Sequence, residues 1–210
     1  MKLLAAIQAG GRSRRMGADK AWLDVQGQPM IARVIAAAQP LAQRLAIVIS
    51  QTTPEPERYA KLAKRWQAEL LIDAYDQRGP LGGIAMALQN CQANESSLIL
   101  ACDLPFLTSE FLRLLIASHS ALRTPHSALD EAPHLTVPED QTGRLQMLCG
   151  VYDPACLPFA QKLLAENKLR VDGLCELVET QRLHWADYAG LTAAEGLLLN
   201  CNSLNDLPKR

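Results

Sequence analysis

The chain has 210 residues and a mass of 23.0 kDa, the size of one ordinary domain, enough to bury a hydrophobic core without staples. Apolar residues make up 49% and charged residues 20%, which excludes a disordered chain. Lys plus Arg (21) nearly balances Asp plus Glu (22), and the net charge of -1 argues against a nucleic-acid backbone as the main partner. Residues 3–7 are apolar and end at a Gly pair. They read as a buried first strand, being too short for a secretory h-region, and no run approaches the length of a membrane span. A cytoplasmic protein with no membrane partner is expected.

Short apolar runs then alternate with amphipathic ones. Strands are expected at 45–50, 70–73 and 97–101, and helices at 31–41, 56–67, 81–91 and 109–118. In the second helix Tyr59, Leu62, Ala63 and Trp66 share one face. Such alternation builds a parallel sheet covered on both faces. From 123 to 143 the pattern breaks into prolines, histidines and acidic residues, an irregular excursion carrying one strand. A strand is expected at 146–152, helices at 154–166 and 171–179, and a strand running into a last turn at 197–207. Repeats are absent, and one domain over 1–210 is expected. The six cysteines form no Cys-x-x-Cys pair and read as buried free thiols rather than zinc ligands. His119, His126, His134 and His184 show no ligand spacing and read as solvated or loop residues; Trp22, Trp66 and Trp185 read as packing residues.

The chemistry starts at residues 8–20, QAGGRSRRMGADK, placed at the carboxyl end of the first strand, where open α/β sheets bind ligands. Glycines at 10, 11 and 17 permit close backbone approach, and freed N–H groups can cradle phosphate oxygens. Arg12, Arg14, Arg15 and Lys20 add positive charge suited to a nucleoside triphosphate. Neither the Walker A spacing nor Gly-x-Gly-x-x-Gly is present, which removes the common nucleotide-hydrolase and dinucleotide-oxidoreductase readings. Further on, Gly79-Pro80-Leu81-Gly82-Gly83 precedes a helix. Asp103 directly follows an apolar strand, where a carboxylate can serve as a hard ligand for Mg²⁺ or as a cap.

These segments, in this order, resemble the molybdenum cofactor guanylyltransferases of the nucleotidyltransferase superfamily. The family pattern Leu-Ala-Gly-Gly-x-Ser-x-Arg-Met-Gly-x-Asp-Lys is met at Ala9, Gly10, Gly11, Ser13, Arg15, Met16, Gly17, Asp19 and Lys20, with Gln8 replacing Leu. The resemblance implies a Rossmann-like three-layer α/β/α sandwich with a mostly parallel central sheet. It also implies transfer of GMP from GTP to a molybdopterin-type cofactor, with Mg²⁺ as the metal. By the same resemblance Lys20, Arg15 and Asp103 are the catalytic residues. Gln8, Ala9, Gly10, Gly11, Lys20, Ser50, Asp73, Gly82 and Asp103 would contact the nucleotide, with Gly82 near the guanine. Asp103 would hold the metal together with Asn202 of the Asn200-Cys201-Asn202 segment, where a turn-forming role for Asn202 is equally open. Ser50 stands where some members carry Asn. The segment 143–148 resembles a Gln-Pro-Leu element on the pterin side, with Met147 in place of Pro. Cofactor-delivery or molybdoenzyme-maturation proteins are the implied transient partners. Two alternatives stay open: a cytidylyltransferase for the same cofactor, whose loop usually reads Ala-Ala-Gly, and a non-catalytic nucleotide-binding module.

Overall fold

The computed structural model describes residues 1–9, 19–75, 78–121, 134–203 and 206. Strand β1 (Lys2–Gln8) is buried through residues 3–7. A strand covered on both faces can be apolar at every position, which accounts for a run without alternation. A 3-10 turn at Lys20–Trp22 leads to a small hairpin, β2 (Asp24–Val25) and β3 (Gln28–Pro29). Its two turn residues, Gln26 and Gly27, take φ of 58° and 84°, as a tight two-residue hairpin requires.

The expected alternation follows. Helix α1 (Met30–Ala38) ends in a 3-10 turn containing Pro40. Then come β4 (Arg44–Ser50), α2 (Pro56–Trp66), β5 (Glu69–Asp73), α3 (Pro80–Gln89), β6 (Glu95–Ala101) and α4 (Ser109–Ala121). In α2 Pro56 occupies the first turn and Glu57 complements the positive end of the helix dipole. Lys64 and Arg65 complement its other end, and Gln67 closes the helix in the left-handed region. The buried face is the one the sequence indicates, Tyr59, Leu62 and Ala63.

The second half departs from expectation. The excursion carries β7 (His134–Pro138), and β8 (Cys149–Tyr152) and α5 (Leu157–Ala165) follow. Residues 171–179 do not form a helix. Val171–Glu176 coils as 3-10 turns around Gly173, and the chain then extends as β9 (Glu179–Leu183), an edge strand paired with β7. The sequence ETQRL carries too little apolar content to announce a strand. Helices α6 (Trp185–Tyr188) and α7 (Ala194–Leu197) come last. The strand expected in the tail is absent among the described residues, because Asp206 Oδ2 accepts the N–H groups of Asn202 and Ser203 (both 2.8 Å) and holds the chain in a turn.

The seven-stranded sheet has the order β5-β4-β1-β6-β8-β7-β9. Only β8 runs antiparallel to its neighbours. One face is covered by α1, α2 and α4 with Tyr188 and Leu197, and the other by α3 and α5. The three-layer α/β/α sandwich with a mostly parallel sheet is therefore the fold. The chain leaves β1 leftward to β4 and returns rightward to β6, so the sheet reverses its winding beside β1. A crevice opens at the carboxyl ends of strands on either side of such a reversal. Among the described residues no helix is long and apolar enough to cross a membrane.

Candidate active site

Four strand ends meet the crevice in a row: Asp73 on β5, Ser50 on β4, Gln8 on β1 and Asp103 just past β6. With strands about 4.8 Å apart, three gaps span roughly 14 Å, the scale of a nucleotide. Ser50 and Asp73 are register partners. The β1/β6 ladder continues through the Cys102 N–H, which donates to the Gln8 carbonyl (3.0 Å), and this fixes Asp103 beside the end of β1.

Lys20 reaches this end from the 3-10 turn. Its ammonium donates to Asp103 Oδ2 (2.6 Å) and to Asn202 Oδ1 (3.2 Å). Burial pulls the Lys20 pKa down, but the adjacent Asp103 carboxylate outweighs it, and the pKa stands above 10.5. Asn202 is brought here by the tail, since the Cys201 N–H donates to the Asp103 carbonyl (2.9 Å). The other carboxylate oxygen, Asp103 Oδ1, is buried with no hydrogen-bond partner among the described residues. A buried carboxylate oxygen left in this state carries a desolvation cost that a cation would relieve. Together with the Asn202 oxygen it forms a hard-oxygen donor set, and these residues fit Mg²⁺.

Asp19 sets the entry of Lys20, a role that sequence reasoning did not assign. Its Oδ1 accepts the Ala21 N–H (3.1 Å), and its Oδ2 accepts the Tyr59 hydroxyl of α2. Burial and this carboxylate hold the Tyr59 hydroxyl protonated by raising its pKa well out of the physiological range. Trp22 packs edge-on against Tyr59 with centroids 5.2 Å apart, and the Arg58 guanidinium lies 4.2 Å over the Trp22 ring. Its signal in the sequence was its place in the matched pattern, directly before Lys20. Cys102, beside the site, is a thiol and no nucleophile at neutral pH, because burial pushes its pKa up to about 12.

The first turn of α3 explains its glycines. A Cβ on Gly82 would lie 2.6 Å from Asp73 Oδ2, and one on Gly83 would lie 2.9 Å from Gln8 Cδ. The Gln8 amide, in the orientation that satisfies both groups, accepts the Ile84 N–H (3.0 Å) and donates to the Pro80 carbonyl (3.3 Å). Gln8 thus ties β1 to α3, a structural use beside its expected nucleotide contact. Asp73 Oδ1 accepts the Tyr75 N–H (2.8 Å). Ser50 is drawn into a local turn, its N–H donating to Thr53 Oγ1 (3.0 Å). The Ala9 N–H is engaged by the Val48 carbonyl (2.8 Å). Gly10, Gly11 and Arg15 lie outside the described residues. A cavity of about 560 Å³ opens beside Tyr75, Arg78 and Gln161. On the other side of β6 the Ala101 N–H donates to the Leu148 carbonyl (2.8 Å), which brings the segment carrying Met147 alongside the strand that ends at Asp103.

Comparison with known proteins shows the family and the fold. A family model described as "MobA-like NTP transferase domain" matches residues 5–179. A protein of Synechococcus elongatus, named probable molybdenum cofactor guanylyltransferase, is 32% identical over 209 residues, covering 98% of this chain and 96% of its own. A protein of Nostoc sp. with the same name is 34% identical over 205 residues, covering 98% and 88%. The crystal structure of molybdopterin-guanine dinucleotide biosynthesis protein A from Archaeoglobus fulgidus shares the fold with a TM-score of 0.75 at 19% identity, covering 97% of this chain and 94% of that one.

Proposed function

The chain belongs to the MobA-like NTP transferase family and is a nucleotidyltransferase, and from that premise we propose that it transfers GMP from GTP to the terminal phosphate of a molybdopterin-type cofactor. The names of its relatives support the guanine and the acceptor. The observation that carries the reading is the convergence of Lys20, Asp103 and Asn202 at the ends of β1 and β6.

In this reaction an oxygen of the acceptor phosphate bonds to the α-phosphorus of GTP. The bond from that phosphorus to the α–β bridging oxygen breaks, and pyrophosphate leaves with the electron pair. A phosphate monoester with a second pKa near ~6 is already anionic at neutral pH, so no general base is required. The demands are alignment and charge neutralisation. Lys20 offsets charge on the triphosphate and on departing pyrophosphate, joined by Arg15 on the strength of the sequence pattern. Asp103 and Asn202 would hold Mg²⁺, which when bound neutralises phosphate oxygens. Gly82, with no side chain, lets the Asp73 carboxylate pack against the first turn of α3, beside which the sequence pattern expects the guanine.

The test is thermal unfolding of the purified protein with GTP, CTP, ATP or UTP, each with and without Mg²⁺. A nucleotide at 100 times its dissociation constant stabilises by about 2.7 kcal/mol. A Mg²⁺-dependent shift with GTP, lost in Asp103→Asn, is expected. A larger shift with CTP overturns the choice of base, and binding without pyrophosphate release in the presence of the pterin acceptor overturns the catalytic role.

A further inference from the structure

Two polar clusters lie beneath the surface of the fold. In one, His119 in the last turn of α4 stacks on His134 at the start of β7, with centroids 4.4 Å apart. Both rings are buried, which corrects the expectation of solvated or loop positions. That cluster sits at the amino end of β7, the sheet edge away from the crevice. The other cluster, Tyr59 with Asp19, reaches the crevice itself.

Tyr59 is 0% exposed, on the face of α2 that packs into the core. At that depth it cannot touch a substrate. Burial and the Asp19 carboxylate keep its hydroxyl protonated, so it cannot serve as a base either. A phenylalanine would fill nearly the same space. What the hydroxyl adds is one hydrogen bond, donated to Asp19 Oδ2 across 40 residues of sequence. A buried hydroxyl has to find a partner. This one finds it on the residue that starts the turn carrying Lys20.

Asp19 is the N-cap of the Lys20–Trp22 turn. Its Oδ1 accepts the Ala21 N–H (3.1 Å), and its carbonyl accepts the Trp22 N–H (3.1 Å). Capping needs only one side-chain oxygen. The second goes to Tyr59, so the carboxylate is held at both ends, by the turn and by α2. Lys20 follows directly, and its ammonium reaches Asp103 Oδ2 (2.6 Å) on a flexible four-carbon stem. Where the ammonium stands depends on where that stem begins. A misplacement of about 1 Å can cost about 100-fold in rate.

We propose that Tyr59 is a positioning residue, which through Asp19 fixes the turn that aims Lys20 at the phosphates, a role that rests on the guanylyl transfer proposed above. The first test uses the full-length protein without nucleotide. Trace acetylation by acetic anhydride is quantified at Lys20 by mass spectrometry, with the exposed Lys61 and Lys64 of α2 as internal standards. Tyr59→Phe should raise Lys20 labelling severalfold and leave the two standards unchanged. It should also lower pyrophosphate release with GTP and the pterin acceptor by about 10-fold. In a Lys20→Ala background the same change should have no further effect on turnover. Asp19→Ala removes the anchor itself and should raise Lys20 labelling at least as much, which keeps the test open if Tyr59→Phe does not fold. Leu62→Val, on the same buried face of α2, should lower Tm while leaving Lys20 labelling and turnover as in the wild type.

Unchanged Lys20 labelling in Tyr59→Phe overturns the proposal, whatever turnover does. So does additivity with Lys20→Ala, or a Leu62→Val variant that matches Tyr59→Phe in both readouts, since the hydroxyl would then serve stability alone. If the wild type released no pyrophosphate while Lys20 labelling still responded to Tyr59→Phe, the guanylyl transfer would fall and the hold of Tyr59 on Lys20 would stand.

Discussion

The Lys20 ammonium and Asp103 Oδ2 meet at 2.6 Å across 83 residues of sequence. Their side chains are only 23% and 12% exposed, so the pair sits at a low-dielectric crevice wall. Pairing alone does not account for the arrangement, because Asp103 Oδ1 remains unsatisfied. A site evolved for stability would satisfy both oxygens. On the proposed function, that oxygen and the Lys20 ammonium would exchange partners with a triphosphate and its metal.

Lys20→Ala is therefore expected to act on turnover. Loss of one charged donor aimed at a developing phosphate charge costs roughly 10²–10³ in rate. Steady-state pyrophosphate release with GTP and the pterin acceptor measures it, with circular dichroism as the control for folding. A rate within about twofold of wild type, the scatter of changes at uninvolved surface residues, would remove Lys20 from the reaction.

The same pair makes a prediction about pH. The pKa of Lys20 is raised in the folded state above its ordinary 10.5. Folding then binds the proton more tightly than the unfolded chain does, so the contribution to stability is complete below the unfolded pKa. It is lost as pH rises through the folded value. The stability difference between wild type and Lys20→Met should stay constant from neutral pH up to the ordinary lysine range and shrink only above 10.5. Urea unfolding at several alkaline pH values reads this directly; a difference that shrinks below that range would mean that Asp103 does not hold the proton.

Glu95 and Glu69 both bind Arg44, at 2.6 Å in each case, but in different surroundings. Glu95 is 1% exposed and its Oε2 also accepts the Gln92 N–H (2.8 Å), whereas Glu69 is 46% exposed. Glu95→Ala should cost about 3–5 kcal/mol, as for a broken buried pair. Glu69→Ala should cost about 1 kcal/mol or less. Equal losses in urea denaturation would show that burial is not what separates the two partners.

Much of this molecule could be read from its residues. The first half alternates cleanly because each strand is apolar and each helix has one buried face, as with Tyr59, Leu62 and Ala63. Lys20, Asp103 and Asn202 were picked out by pattern, and the fold brings them together. What escaped was structure that depends on distant partners. Strand β9 has little apolar content and exists because the outer edge of β7 offers it hydrogen bonds. The stacking of His119 on His134 and the Tyr59 bond to Asp19 join residues far apart in sequence, beyond the reach of any local spacing. The Gly82-Gly83 pair was legible as a turn before a helix. That it accommodates the side chains of Asp73 and Gln8 was not.

That last contact can be tested by a double-mutant cycle. A methyl group on Gly83 would meet the Gln8 amide at 2.9–3.1 Å, and that amide is held by the Pro80 carbonyl and the Ile84 N–H. Overpacking of this kind costs about 1–3 kcal/mol, while replacing a helical glycine by alanine returns about 0.8–1.0 kcal/mol. Gly83→Ala in the wild-type background should therefore be neutral or destabilising. Once Gln8→Ala has removed the obstructing amide, only the helix gain is left, and Gly83→Ala should become stabilising by about 1 kcal/mol. The two changes should show a coupling within the range of about 0.5–3 kcal/mol seen for residues in contact. Simple additivity in urea unfolding would mean that Gln8 swings away at no cost, and that its bonds to α3 do not hold it in place.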